Sequence, residues 1–320
     1  MAIISYHASH EQFKPSELLS WVVLAENSGF EGVNSSDHFY PWSERQGESG
    51  FSFAWLGAAM QATDLPYGMV CAPGARYHPV VLAQAAATLA EMFPDRFWMA
   101  LGSGEALNEN VTGEPWPDKE TRNQRLYESA TVIKRLLHGE NVSFEGTISV
   151  NNARLYTLPR RPPRIIAAAV TEKTAEWLGS WADGLITIHK PYQELKAMIN
   201  AFERGGGKGK KRVLKVQLSY ARSREEALSG AYDQWRTNVL SHENLGDFSQ
   251  PAHFDRAAEK VTPGELEKMV HISPDPKQHI EWIRQYIDMG FENIILHNVN
   301  RQQELFIRDF GAKVLPHLKA

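Results

Sequence analysis

The sequence predicts an α/β protein of the (β/α)₈ TIM-barrel class, on three observations. Short apolar runs rich in β-branched residues alternate with longer amphipathic segments over most of the chain, the pattern of a parallel sheet covered by helices. About eight such units can be counted, and closure into a barrel is the favoured solution for eight. No Gly-x-Gly-x-x-Gly follows the first run, which argues against a doubly wound open sheet. At 320 residues the chain is long for one domain but within reach of a single large barrel, and it is read as one domain over 1–320.

Ile3–Tyr6 opens the series, and Pro15–Ser28 follows as a helix that Gly29 closes. Gly32–Ser35 and the helical stretch Phe53–Ala62 form the second unit. Tyr67–Cys71 reads as a buried strand ahead of Pro79–Met92, where Val81, Leu82, Ala85, Ala86 and Leu89 make one apolar stripe. Phe97–Leu101 precedes the long amphipathic helix Lys119–Leu137. The alternation pauses over 141–156, where Val142, Phe144, Ile148 and Val150 alternate around Glu145-Gly146 as in an inserted hairpin. It resumes with Arg164–Ala168 and Thr171–Trp181, then Gly184–Ile188 and Pro191–Phe202. Val213–Leu218 alternates apolar and polar residues ahead of a helix from Ser223. Residues 240–262 are irregular and polar and read as a second insertion. Helical segments Pro276–Met289 and Arg301–Leu315 flank the last strand, Asn293–His297.

Composition narrows the function classes. A formal charge of -4 gives no electrostatic reason to expect nucleic acid or an anionic membrane as partner. Lys208, Lys210, Lys211 and Arg212 cluster beside Gly205, Gly206 and Gly207, and read as a solvated loop. One cysteine, Cys71, excludes an internal disulfide and fits a reducing compartment. Neither a basic, apolar leader nor a membrane-length apolar window is visible, so a cytoplasmic protein acting on a small molecule is expected.

In a (β/α)₈ barrel the chemistry gathers at the C-terminal ends of the strands. The polar residues there are Tyr6, His7 and Ser9; Ser36-Asp37-His38 with Trp42; Cys71, Arg76, Tyr77 and His78; and Gly102-Ser103-Gly104-Glu105 with Asn108 and Glu109. Later strands contribute Ala167-Ala168-Ala169, His189-Lys190, Ser219-Tyr220 and His297-Asn298. Five histidines (His7, His38, His78, His189, His297) therefore fall at strand ends and suggest a polar pocket at one mouth. Each has a blander reading as a satisfied structural group. The Asp37-His38 pair is stronger, because adjacent carboxylate and imidazole can tune one another. The Gly102-Ser103-Gly104 turn permits close backbone approach to a ring or phosphate, although such turns are common. No His-Glu-x-x-His or similar spacing supports a metal site.

Ser36-Asp37-His38-Phe39-Tyr40-Pro41-Trp42, Arg76-Tyr77-His78-Pro79 and Leu101-Gly102-Ser103-Gly104-Glu105-Ala106-Leu107-Asn108-Glu109 together resemble the luciferase-like flavin-dependent oxidoreductase superfamily. Within it they are most similar to the branch of glucose-6-phosphate dehydrogenases that use the deazaflavin coenzyme F-420, and to its FMN-using relatives. The likeness runs from Ser9–Phe13 through Asp183-Gly184 to the C-terminal helices. It implies His38 as base or stabiliser in hydride transfer, Glu105 as proton donor to the reduced ring, and Trp42 packed over the reacting centre. It further implies Asp37 as a cofactor contact and Met69-Val70 as a non-proline cis peptide behind the ring. Ser103, Gly104, Ala167, Ala168 and Ala169 would hold ring and cofactor phosphate, Lys190 a sugar phosphate, and the enzyme would be a homodimer.

Two departures qualify that picture. Only Lys190 remains of the family's basic contacts to sugar phosphate, since Asn244–Leu245 and Met269 carry no matching cation and Lys268 is one place off. The family's Ala-Gly-Gly is Ala168-Ala169-Val170 here, which restricts backbone approach and suggests a different cofactor tail; the resemblance to the FMN-using relatives then implies FMN slightly ahead of coenzyme F-420. The expected activity is hydride transfer to or from a small alcohol or aldehyde. An FMN-dependent monooxygenase and a non-catalytic flavin-binding protein are the alternatives, and a hydrolase built on Asp37 and His38 lacks a nucleophile or metal.

Overall fold

Parallel pairing runs in a closed circuit through the computed structural model, which describes residues 2–240 and 246–318. In chain order the strands are β1 (Ile3–Ala8), β2 (Gly32–Ser36), β3 (Tyr67–Cys71), β4 (Phe97–Leu101), β5 (Val142–Glu145), β6 (Ser149–Ala153), β7 (Arg164–Ala168), β8 (Gly184–Ile188), β9 (Lys211–Ser219), β10 (His271–Ile272) and β11 (Asn293–Asn298). Neighbours pair in the order β10-β9-β11-β1-β2-β3-β4-β7-β8, and a β8–β9 ladder closes the ring. The two-residue β10 pairs with β9 at Leu218 and Ser219, beyond the point where β8 ends opposite Lys215. Eight strands thus form a (β/α)₈ barrel, with β10 as an extra rung at its mouth.

Closure follows from the two-residue side-chain period of a strand. Val70, Trp98, Ala100, Ile166, Ala168, Ile186, Val213 and Ile295 face one another inside the ring as a packed plug. Residues of opposite parity, such as Met69, Met99, Ile165 and Leu214, pack outward into the main core beneath the helices. Helix starts are set by local polar caps: Asp118 accepts from Thr121 N (2.8 Å), Ser223 from Glu226 N (3.1 Å) and Asp275 from Lys277 N (2.9 Å). The hairpin β5–β6 is antiparallel with an irregularity between Val142 and Phe144, and it buries Val142 and Val150 against the main core.

Three local expectations are revised. The expected cis link at Met69-Val70 does not occur, and no described peptide bond is cis. Instead β3 stays in register through Val70, opposite Ser36 on one side and Ala100 on the other. The glycine-lysine stretch is a solvated turn only at Lys208 and Gly209: Gly205 packs so closely on the helix Glu172–Gly179 that an added Cβ would lie 1.7 Å from the Glu176 carbonyl oxygen. Lys210 Nζ caps the Gly179 carbonyl at 2.7 Å, and Lys211 and Arg212 already belong to β9. Residues 246–262 are not irregular throughout, since Pro251–Ala257 is helical and buries Phe254.

Candidate active site

The inward-facing parity of the barrel plug continues toward the C-terminal ends of the strands. One step of two residues on, it presents Gly102 after β4, Ala168 on β7, Ile188 on β8, and Lys215 and Gln217 on β9. These residues, with His38, Trp42, Ser103, Gly104 and Glu105, line a cavity of about 800 Å³ at the barrel mouth. Its walls are small where β4 and β7 meet: Gly102 faces Ala168 Cβ across 3.9 Å of would-be Cβ contact, and Gly104 turns with φ +76°. A flat multi-ring group fits such a wall, because nothing larger than a methyl projects from Gly102, Gly104, Ala168 or Ala169.

His38, on the cavity lining, belongs to a carboxylate–imidazole pair. Glu11, on the turn after β1, is 5% exposed in its side chain and hydrogen bonds to Nδ1 of His38, which is 16% exposed. Its second oxygen accepts from Ser9 Oγ at 2.7 Å. Burial opposes charge on both partners, but mutual attraction wins. The Glu11 carboxyl is held well below the usual carboxylate range by the His38 imidazolium. His38 is raised above the ordinary histidine value by the Glu11 carboxylate, with a smaller contribution from Glu105. An ionised carboxylate can only accept, so Nδ1 carries the hydrogen and Nε2 is left for a ligand. Trp42 meets the imidazole edge-on at 5.2 Å and is itself backed by Phe254 at 5.4 Å. Asn108 ties the two mouth loops together, its side-chain oxygen accepting from Phe39 N (2.7 Å) and Tyr40 N (3.3 Å).

Of the residues singled out in the sequence, His38, Trp42, Ser103, Gly104, Glu105, Ala168 and Ala169 meet at this cavity. Asp37 lies outside its lining, since adjacent residues at a strand end point opposite ways. Its carboxylate pairs with Arg76 and accepts from Tyr77 Oη at 2.7 Å, leaving Oδ1 buried without a partner. Strand parity likewise sends Met69 and Ala167 outward, and Val70 sits in the plug below the cavity. Lys190 is half-buried beside Glu194 (3.5 Å) and does not line the cavity either. Residues Asn244–Leu245 lie outside the described residues. Four of the five strand-end histidines do converge. His38 and His189 line the cavity, whereas His7 and His297 lie outside its lining and meet each other at a tilt, ring centroids 4.4 Å apart. His78 instead caps the helix Pro79–Met92.

Glu11 and Lys215 were not singled out by the sequence. Glu11 sits in a loop and is brought to His38 by the parallel pairing of β1 with β2. Lys215 had a readable signal, because it occupies the inward parity of a strand whose alternation is visible in sequence. Burial lowers the Lys215 ammonium to about 8, with Glu11 offsetting part of the effect. Burial first, and Lys215 second, hold His7 and His297 well below the ordinary histidine value, hence neutral.

Comparison with known proteins places this geometry in a lineage. The family described as luciferase-like monooxygenase matches residues 3–293. The F420-dependent glucose-6-phosphate dehydrogenase of Microbacterium testaceum is 36% identical over 98% of this chain and 96% of that protein. Its counterpart in Intrasporangium calvum is 34% identical over 100% of this chain and 99% of that protein. A solved F420-dependent secondary alcohol dehydrogenase, in complex with an F420-acetone adduct, superposes with TM-score 0.93 at 28% identity, covering 100% of this chain and 99% of that one. No helix among the described residues is long and apolar enough to cross a membrane. With the barrel, the mouth cavity and these matches in place, the chain belongs to the luciferase-like monooxygenase family.

Proposed function

We propose that this protein is an oxidoreductase that moves a hydride between a small alcohol and coenzyme F-420, with the acid–base work done by His38. The observation that carries this reading is the buried Glu11–His38 pair opening onto the mouth cavity. Coenzyme F-420, when bound, supplies the hydride acceptor or donor. Gly102, Ser103, Gly104, Ala168 and Ala169 form the wall that would hold its ring, and Lys119, also in the lining, donates from Nζ to Ser103 Oγ at 2.8 Å and braces that wall. His38 Nε2 takes the hydroxyl proton as the alcohol carbon is oxidised, and Glu11 stabilises the imidazolium so formed. Glu105, half-buried on the same wall, is positioned for proton exchange at the ring edge. Trp42 fixes the imidazole plane and screens the reacting centre from water.

FMN, which the sequence favours, finds no support among the relatives at 28–36% identity, whose names specify F420. Visible-spectrum and fluorescence titration with coenzyme F-420 and FMN tests the choice. Micromolar binding of coenzyme F-420, with FMN at least ten times weaker, is the expected result, on an affinity scale where tenfold is about 1.4 kcal/mol. If neither ring binds tighter than millimolar, the oxidoreductase reading is overturned. The homodimer implied by the resemblance belongs to the same proposal, with light scattering as its check.

A further inference from the structure

We propose that Lys215 binds a carboxylate on the substrate, so that the natural substrate is a 2-hydroxy acid or the matching 2-oxo acid rather than an uncharged alcohol or a sugar phosphate. This rests on the oxidoreductase reading above and narrows its substrate class. Three cations line the mouth cavity among the described residues: Lys119, Arg122 and Lys215. Lys119 is bonded to Ser103, and Arg122 lies 4.3 Å over the Trp116 ring. Of the three, only the Lys215 side chain makes no hydrogen bond or ion pair with any described residue, although it rises from the inward face of β9 into the cavity.

The groups around Lys215 explain why that charge is left over. From the turn after β1 comes Glu11, whose carboxylate is already held by His38 and Ser9. From β1 and β11 come His7 and His297, which are neutral and offer no counter-charge. The neighbouring inward residue on β9 is Gln217, also neutral. A half-buried ammonium whose neighbouring carboxylate is already shared with His38 and Ser9 is costly unless a further anion reaches it. The open side of the site is the cavity, where the substrate sits.

The same surroundings select the anion. One cation balances the single charge of a carboxylate, whereas a phosphate dianion calls for several. The other lysine suited to phosphate, Lys190, lies outside the lining and faces Glu194. Lys215 and His38 line the same cavity, so one small substrate can bring a carboxylate to Lys215 and a hydroxyl to His38. A 2-hydroxy acid is the smallest molecule that carries both groups.

The test pairs lactate with propan-2-ol, which differ by the carboxylate alone. With the coenzyme F-420 holoenzyme, kcat/KM for lactate should exceed that for propan-2-ol. Lys215→Met and Lys215→Gln should each collapse that ratio about 100-fold, in line with truncation of one partner of a buried charge pair. Lys215→Arg should keep most of it. Calorimetric titration with lactate gives an independent readout: binding to the wild type, and at least tenfold weaker binding to both neutral variants. Equal rates with the two alcohols, or equal losses with both in the variants, would overturn the proposal. If neither coenzyme F-420 nor FMN binds, the oxidoreductase reading falls by itself, and the lactate titration still decides whether Lys215 takes a carboxylate.

Discussion

Replacing Glu11 by glutamine tests how much of the chemistry rests on the buried pair. The substitution keeps a side-chain oxygen in place to accept from Nδ1 of His38, so the tautomer and ring orientation survive while the charge is lost. A hydrogen bond to a charged group contributes about 1.5–3 kcal/mol. Little of that is discounted for solvent, because the two side chains are only 16% and 5% exposed. If the imidazolium forms in the transition state, its stabilisation falls by that amount. At one decade per 1.36 kcal/mol, kcat/KM at high pH, where His38 is unprotonated in both proteins, drops about 10- to 150-fold. A second signature is directional. Glu11 raises the His38 pKa, so its neutralisation lowers that pKa, and the acid limb of the alcohol-oxidation profile moves to lower pH. Steady-state kinetics following coenzyme F-420 reduction across the pH range measures both. A variant within about threefold of wild type, with its acid limb unmoved or displaced upward, would refute the assignment of Glu11 as the residue that positions and charges His38.

Glu105→Gln should lower turnover about 100-fold or more, the usual contribution of a positioned acid or base. Coenzyme F-420 affinity, read by fluorescence, should change far less; parallel loss of binding would make Glu105 a holding group instead. Gly205→Ala should destabilise by at least the about 1–3 kcal/mol of ordinary overpacking, since its Cβ meets the Glu176 carbonyl oxygen at 1.7 Å and backbone cannot swing aside. A thermal midpoint equal to that of the wild type would mean that the turn after Phe202 relaxes freely.

Much of the architecture is local, and local features are what a sequence displays. Strand and helix order, the hairpin near 141–156 and the placement of His38 and Glu105 after β2 and β4 all follow from hydrophobic period and turn residues. The candidate positions with wrong orientation fail for one shared reason. Strand ends are readable, but the face on which Asp37, Met69 or Ala167 points depends on register, and register is settled by pairing across the barrel. The glycines at 205–207 mislead because composition resembles a linker, while the real constraint is a neighbouring helix backbone.

What the sequence by itself determined is therefore the barrel and a polar mouth containing His38 and Glu105. Tertiary structure alone decided their chemical company. Glu11 stands 27 residues before His38 and reaches it only because β1 and β2 are adjacent in the closed ring. Lys215 is separated from both by most of the chain and joins them because β9 lies next to β11, and β11 next to β1. Charges interact through space and low dielectric, with no regard to chain separation. A carboxylate, an imidazole and an ammonium that look unrelated in sequence thus become one electrostatic unit once the barrel closes.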